Sequence, residues 1–508
     1  MKKNKIILIC PGEMGLYLKD KLPPLLFKLT KNIFLKLLKK KVTIPLSILG
    51  VGTYLKQEGF EVVLIDGRVE DSIERLRQEL NNNILFVGIS ALTGSSITFG
   101  LFCADYIRKR DSKIPIVWGG VHVTLTPEQS LATSNLVDIV VKGEGEITGV
   151  ELAKALQNNA DLSNVCGISY KLNEKIYHNP DRLFMNFDEE LELDYGMLNM
   201  DYYDMDRFLY QSERGCPHRC EFCDVLVVHR RKFRQKSAES VLRDLERINR
   251  LFRPQKIVFV DDCFFADFKR ADKIVECLIE GKMDMQWHAS CRASYFRKTN
   301  VDFWKKAKKS GLAEVYVGIE SGSPKMLDYI KKDCTIEDIL NGAKQIAEAD
   351  ILFMTNLLFG FPGETEEDIQ MSLDLVKYLR KTYGKNMQLG RIFLYGPCPS
   401  TPMFFKVVKA GFVPPQTLNG WGKFRIGDPE NLKWHPLFDY LSAVAICSHQ
   451  GKPFDWRISL KRLRRINIPG IIIDFLGHLA WLRWENNYFK YPFDLKLIQL
   501  LEKYFYLW

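Results

Sequence analysis

The stretch Gly215-Cys216-Pro217-His218-Arg219-Cys220-Glu221-Phe222-Cys223-Asp224 decides how the rest of the chain is read. It sets three thiols at gaps of three and two residues, directly after a strand-like run at 208–211. A short loop with that spacing can wrap three corners of a cubane, and thiolate is the usual protein ligand of iron–sulfur clusters. Three ligands leave one iron open. An open iron can chelate the amino and carboxylate groups of S-adenosylmethionine. One electron then breaks a sulfur–carbon bond and releases a 5′-deoxyadenosyl radical, while the protein binds, orients and excludes water. A structural zinc would need a fourth ligand, and its usual pattern is two separated C-x-x-C pairs. His218 could supply one, but it sits inside the first gap, where the geometry is poor. Cysteines with no ligand role are the third reading.

Working outward, the strand-then-helix rhythm continues from 206 to 420. Strands are expected at 208–211, 257–260, 286–289, 314–319, 352–359 and 388–393, with helices such as 238–252 and 336–349 between them. About six βα units of this kind suit a partial (β/α)6 barrel, whose active site lies at the carboxyl ends of the strands. Upstream, residues 1–150 repeat the rhythm, with strands at 5–10, 61–65, 84–89, 116–118 and 139–142 and a helix at 97–108. Gly, Ser or Asp soon follows each strand. That is the pattern of a doubly wound parallel sheet, whose ligands sit beyond the strand carboxyl ends. Residues 151–205 read as a connector with a small hairpin at 167–170 and 175–177, then an acidic irregular segment. Residues 421–508 read as a helical region rich in Trp and Tyr.

A chain of 508 residues with a hydrophobic fraction of 46% can bury several cores. Its net charge of +10 is mostly dispersed and suits a basic surface better than a nucleic-acid partner. Twelve cysteines run from Cys10 to Cys447 without a regular framework. With no signal peptide, a reducing cytoplasm is the expected compartment, without disulfides. Outside the triad the cysteines read as packing residues. No run reaches ~18 apolar residues, so no spanning helix is expected. One insertion departs from the rhythm. Leu22, Leu25, Leu26, Leu29, Ile33, Leu37 and Leu38 keep helical spacing, interleaved with Lys28, Lys31, Lys36, Lys39, Lys40 and Lys41. Such a basic amphipathic helix either packs on its own sheet or lies on a membrane surface. A second basic run, at 461–465, lies near the C-terminus.

The cysteine segment resembles that of the radical S-adenosylmethionine superfamily, and the likeness continues downstream. Phe259-Val260-Asp261-Asp262-Cys263-Phe264 resembles the motif closing that family's second barrel strand. Gly318-Ile319-Glu320-Ser321-Gly322-Ser323 resembles its fourth-strand motif, and Phe359-Gly360-Phe361-Pro362-Gly363-Glu364-Thr365 its fifth-strand turn. The four occur in family order over about 150 residues. The resemblance implies that Cys216, Cys220 and Cys223 hold a four-iron, four-sulfur cluster. It also places Phe222 near the adenine of S-adenosylmethionine, with Glu320 and Ser321 near its methionine or ribose portion.

The first domain resembles the cobalamin-binding modules fused to one large branch of this superfamily. Ser90-Ala91-Leu92 matches the family's S-x-L element, and Gly119-Gly120 follows after 26 intervening residues. His122 comes next, and Gly143-Glu144-Gly145-Glu146 ends the following strand. The resemblance implies a cobalamin whose nucleotide tail threads between strand ends, at Ser90, Leu92, Gly119, Gly120, His122, Gly143 and Glu144. The best-known modules ligate cobalt with the histidine of D-x-H-x-x-G. Here Asp66-Gly67-Arg68-Val69-Glu70-Asp71 puts arginine in that place, and arginine stays protonated. The lower axial site is then water, vacant or a non-classical residue.

The resemblance implies a radical enzyme that methylates an unactivated carbon, taking the methyl from methylcobalamin. Oxidative ring formation of the anaerobic porphyrin-cyclase type needs the same cofactors and stays open. An RNA-modifying methylthiotransferase would carry extra N-terminal cluster cysteines, whereas this region offers only Cys10 and Cys103. A non-catalytic cobalamin sensor would not need four barrel motifs in order. Expected partners are a small-molecule or lipid-like substrate, a low-potential electron donor such as flavodoxin or ferredoxin, and a peripheral membrane surface. His288, Arg292 and Tyr316 fall near predicted strand ends, where they could face the substrate.

Overall fold

The computed structural model describes residues 3–12, 42–442, 444, 479, 482, 483 and 485–489. The basic insertion at 22–41, the basic run at 461–465, Cys447 and most of the C-terminal helical region lie outside these residues. The chain divides into two compact units. One is drawn from Met1–Leu209, Asp224–Lys256 and Pro414–Arg425, the other from Tyr210–Cys223, Ile257–Val413 and Ile426–Trp508.

The first unit holds β1 (Lys5–Cys10), β2 (Glu61–Asp66), β3 (Ile84–Ser90), β4 (Ile116–Gly119), β5 (Ile139–Val141), β6 (Ile168–Leu172) and β7 (Lys175–His178). They form one sheet in the order β2-β1-β3-β4-β5-β6-β7. The first five strands pair in parallel, and β6 and β7 extend the sheet as an antiparallel hairpin. β1 is buried from Lys5 to Ile9, which is why it reads as an unbroken apolar run and not an alternation. Buried Lys5 is neutralised by Glu79 at 2.7 Å and Glu61 at 3.3 Å. The order is doubly wound, and its switch point falls between β1 and β3. In such sheets the crevice outside the carboxyl ends at that point receives the ligand.

The second unit is built on β8 (Phe208–Tyr210), β9 (Lys256–Phe259), β10 (Gln286–Arg292), β11 (Leu312–Glu320), β12 (Leu352–Phe359) and β13 (Met387–Leu394). They form a six-stranded sheet in simple chain order, β13-β12-β11-β10-β9-β8. The pairs from β10 to β13 are parallel. This is the partial barrel that the βα rhythm implied. Along β11, Val315, Val317 and Ile319 are buried, while Glu314, Tyr316, Gly318 and Glu320 are partly exposed. β12 alternates in the same way, with Met354, Asn356 and Leu358 on the more open face. A period of two therefore sets a polar inner face against an apolar one that the helices cover. Thr335 and Thr365 start the helices Ile336–Glu348 and Glu366–Tyr383 with reciprocal capping boxes. β10 runs three residues past the 286–289 expected from sequence, because Ser290, Cys291 and Arg292 pair with Tyr316, Val317 and Gly318 of β11. Pairing overrides the polar, turn-like character of that tripeptide.

Candidate functional site

The thiol loop leaves the end of β8 and is held by carboxylates from the end of β9. Asp261 accepts the backbone N–H of Ser212 at 2.6 Å and of Glu213 at 3.1 Å, and the Ser212 hydroxyl donates to its other oxygen. Asp262 accepts the N–H of Gly215 at 2.8 Å. The acidic pair of the second-strand motif is thus a clamp on the start of the loop. Burial pushes the Asp261 carboxyl up to about 6, against the pull of its Ser212 hydrogen bonds. Gly215 turns the chain with φ of +84°, where a side chain would be strained. Further on, the Glu221 N–H donates to the Ile330 carbonyl at 3.2 Å, and its carboxylate pairs with Lys406.

Arg292 and Cys263 stand against two of the thiols. The buried Arg292 guanidinium donates from Nη1 to Cys220 Sγ at 2.9 Å, and its other end holds the Lys332 carbonyl. A hydrogen bond with Cys263 brings the Cys216 thiol down to about 7; burial opposes this, and the His218 backbone and Arg292 add to it. His218 bonds through Nε2 to the Tyr295 hydroxyl, and burial lowers it to about 4. The ligand atoms of Cys216, His218 and Cys263 lie within 4.8 Å of one another. That trio could also hold an ion, but only by taking Cys216 out of the triad. Cys263, expected to be a packing residue, is buried and also stands beside Cys216 and Tyr295.

The remaining barrel motifs surround this loop in the second unit. The Phe222 ring lies 5.7 Å from that of Phe361 in the fifth-strand turn. Glu320 sits in the left-handed region with φ of +60°, a strained position that clusters at functional sites. It accepts from Lys332 Nζ at 2.7 Å. Ser321 is buried, with its hydroxyl 3.2 Å from that of Ser372 and accepting the Ser323 N–H, so it braces the turn from inside the protein. Burial pushes Glu364 up to about 8, and its Oε2 accepts the Gly360 N–H at 2.5 Å. His288 and Glu314 pair across β10 and β11. A Cβ added at Gly390 would fall 2.9 Å from the Tyr316 hydroxyl and 2.5 Å from Asn356 Oδ1, so both approach the backbone of β13 there. Arg292, expected among substrate-facing residues, is engaged with Cys220. Sequence reading missed Cys263, Tyr295 and Lys332. Only Cys263 carried a signal, as part of the second-strand motif.

In the first unit, the S-x-L element and the glycine pair meet at the ends of β3 and β4. The Ala91 N–H donates to the Gly119 carbonyl at 2.8 Å, and the His122 N–H to the Ala91 carbonyl at 3.2 Å. Gly120 has φ of +98°, and a Cβ there would fall 2.7 Å from the Ala91 carbonyl oxygen. A Cβ at Gly119 or Gly143 would meet nothing within 4 Å. Leu92 is exposed, and Ser90 and Ser47 hydroxyls lie 3.3 Å apart. Crowded backbone with open space beside it suits a nucleotide tail laid across strand ends. His122 is buried and pushed down to about 4 by burial, hence neutral. Its Nδ1 lies 2.9 Å from Thr93 Oγ1, and its Nε2 has no hydrogen-bond partner among the described residues. Arg68 is committed to Asp66 through contacts of 2.8 and 2.6 Å and to the Thr43 carbonyl at 2.9 Å. It offers cobalt no lone pair. Glu144 pairs with Arg234 at 2.6 Å beside a cavity of about 300 Å³ lined by Gly143, Phe184, Met185 and Val228. The helix Leu418–Lys423 packs on the same unit, where Trp421 donates to Gln129 at 2.7 Å and its ring stands 5.5 Å from His122.

Comparison with known proteins agrees with this geometry. Residues 210–376 match the radical SAM superfamily, and residues 40–153 match the B12 binding domain. An uncharacterised methyltransferase of Pyrococcus horikoshii is 30% identical over 393 residues, covering 76% of this chain and 82% of the relative. The anaerobic magnesium-protoporphyrin IX monomethyl ester cyclase of Synechocystis is 23% identical, covering 66% and 68%. Among solved structures, the cobalamin-dependent S-adenosylmethionine radical enzyme OxsB aligns with a TM-score of 0.68 at 18% identity, covering 94% of this chain and 72% of that one. The chain belongs to the cobalamin-dependent radical S-adenosylmethionine enzymes, in the methyltransferase family, and the relatives favour that reading over the cyclase one. Its cofactors are a four-iron, four-sulfur cluster, S-adenosylmethionine and cobalamin. Among the described residues no helix is long and apolar enough to cross a membrane.

Proposed function

We propose that this enzyme methylates an unactivated carbon of a small molecule, with Cys216, Cys220 and Cys223 as the ligands of its cluster. The observation that carries the reading is the thiol loop itself, clamped by Asp261 and Asp262 and flanked by the Arg292 guanidinium. When bound, the cluster supplies the electron that cleaves S-adenosylmethionine, and cobalamin supplies the methyl group. The chain's own residues prepare this chemistry. Arg292 donates a hydrogen bond to the Cys220 sulfur and holds its position. Phe222 and Phe361 offer aromatic surface for an adenine, and the strained Glu320 offers a carboxylate to an amino or ribose group. Ser90, Leu92, Gly119, Gly120, His122, Gly143 and Glu144 line the strand ends where cobalamin would lie. Arg68, tied to Asp66 and permanently protonated, would not serve as a ligand to its metal.

The inner face of the barrel sheet, with His288, Tyr316 and Asn356, is where the substrate would be recognised. A low-potential flavodoxin or ferredoxin would deliver electrons, in the cytoplasm. The lysine-rich insertion at 22–41 supports contact with an anionic membrane surface and a lipid-like substrate. Liposome flotation with and without that insertion tests the contact, and equal flotation sinks it. The methylation reading is tested by product analysis under anaerobic reducing conditions. S-adenosylhomocysteine together with 5′-deoxyadenosine and a methylated product supports it. Only 5′-deoxyadenosine with a ring-closed product overturns it.

A further inference from the structure

Cys263 lies at the end of the second-strand motif, buried at 2% exposure. Its Sγ lies within 4.8 Å of the Cys216 Sγ and 3.3 Å from the Tyr295 hydroxyl. Tyr295 in turn contacts His218 Nε2. Glu213 Oε1 accepts the Cys263 backbone N–H at 2.5 Å, which holds the backbone there. The four side chains form a continuous line from His218 through Tyr295 and Cys263 to Cys216.

Iron ligation would set the direction of every bond in that line. A cysteine bound to iron has no proton and can only accept, so the single S–H of Cys263 must donate to Cys216. Cys263 can then only accept from Tyr295, and the one O–H of Tyr295 is used there. Tyr295 oxygen must accept in turn, so His218 donates from Nε2. Each group has one proton to give, and the assignment uses each proton once. Bonds aligned in one direction polarise and strengthen one another.

We propose that Cys263 acts as a positioning residue that donates a hydrogen bond to the sulfur of Cys216 and so makes the bound cluster easier to reduce. This rests on the reading of Cys216 as an iron ligand. Reduction adds negative charge to the cluster, and hydrogen bonds to its sulfurs are among the factors that set its potential. The test uses the full-length protein, anaerobically reconstituted, with iron and sulfide analysis and an EPR-monitored redox titration without S-adenosylmethionine. Cys263→Ala is expected to keep the iron content of the parent and to reduce at a more negative potential. At the parent's midpoint its ratio of reduced to oxidised cluster should fall about tenfold, equivalent to about 59 mV for one electron. Tyr295→Phe should shift the same way by less, and Cys263→Ser should stay nearer the parent. An alanine variant with the parent's midpoint, or a positive shift, overturns the proposal. If the alanine variant does not assemble a cluster, Tyr295→Phe decides, and an unchanged midpoint there overturns it. A parent protein with no four-iron cluster fails differently, by sinking the ligand reading itself.

Discussion

The thiol loop of the second unit and the strand ends of the first solve opposite problems. The loop is held by side chains: a buried and an exposed carboxylate at its start, a guanidinium on Cys220 and a thiol beside Cys216. The strand ends are held by backbone, where Gly120 presses on Ala91 and Gly119 leaves its flank open. A small charged cluster needs fixed dipoles and counter-charges around thiolates. A bulky cofactor tail needs missing side chains. One site is therefore fragile to loss of charge and the other to gain of volume.

That contrast can be broken most severely at the thiols. Cys216→Ala, Cys220→Ala or Cys223→Ala should each abolish 5′-deoxyadenosine formation while leaving cobalamin uptake by the protein intact. Loss of both together would show that the two sites are not separable. Next comes Gly120→Val, which forces a β-branched side chain into a left-handed position against the Ala91 backbone. A destabilisation of about 2–4 kcal/mol is expected, with reduced cobalamin retention by absorption spectroscopy and unchanged iron content in the folded fraction. Asp261→Asn should be milder, about 1–3 kcal/mol, since an amide keeps one acceptor and loses the other. Its mark would be lower iron and sulfide per chain, while cobalamin binding stays at the parent level.

The smallest effect is a pH dependence. Glu364 has a folded value of about 8 against an ordinary 4.5, because burial disfavours its charge. The unfolded chain ionises it first, so folding loses stability as pH rises from about 4.5 to 8. Glu364→Gln removes that titration. The parent's melting temperature should fall relative to the variant's between pH 5 and 8. The free-energy difference between them should change by at least about 1 kcal/mol over that range. A constant difference would mean that Glu364 is already charged at pH 5.

Much of the fold was legible because periodicity reports burial. The five parallel strands of the first sheet and the six of the second stand where apolar runs and turns placed them, and β10 ran furthest past its expected end, since its last residues owe their conformation to pairing with β11. The triad stands out because its three thiols are neighbours in the chain. The role of Asp261 and Asp262 was not, although their motif was plain, because a clamp is defined by what it holds. From its strand end Arg292 could face substrate or pack, and residue spacing does not reveal that its guanidinium reaches Cys220, 72 positions away.

By itself, the sequence determined the three thiols and their spacing, the order of the four barrel motifs, and the small residues at the first sheet's strand ends. It also determined that position 68 carries no metal ligand, since arginine keeps its proton in any fold. Only the tertiary structure decided that Asp66 claims Arg68, that Cys263 stands beside Cys216, and that the path from His218 to Cys216 passes through Tyr295. Those contacts join residues from separate strands and loops. Hydrogen bonds depend on distances of a fraction of an ångström, which strand pairing establishes and residue spacing along the chain does not record.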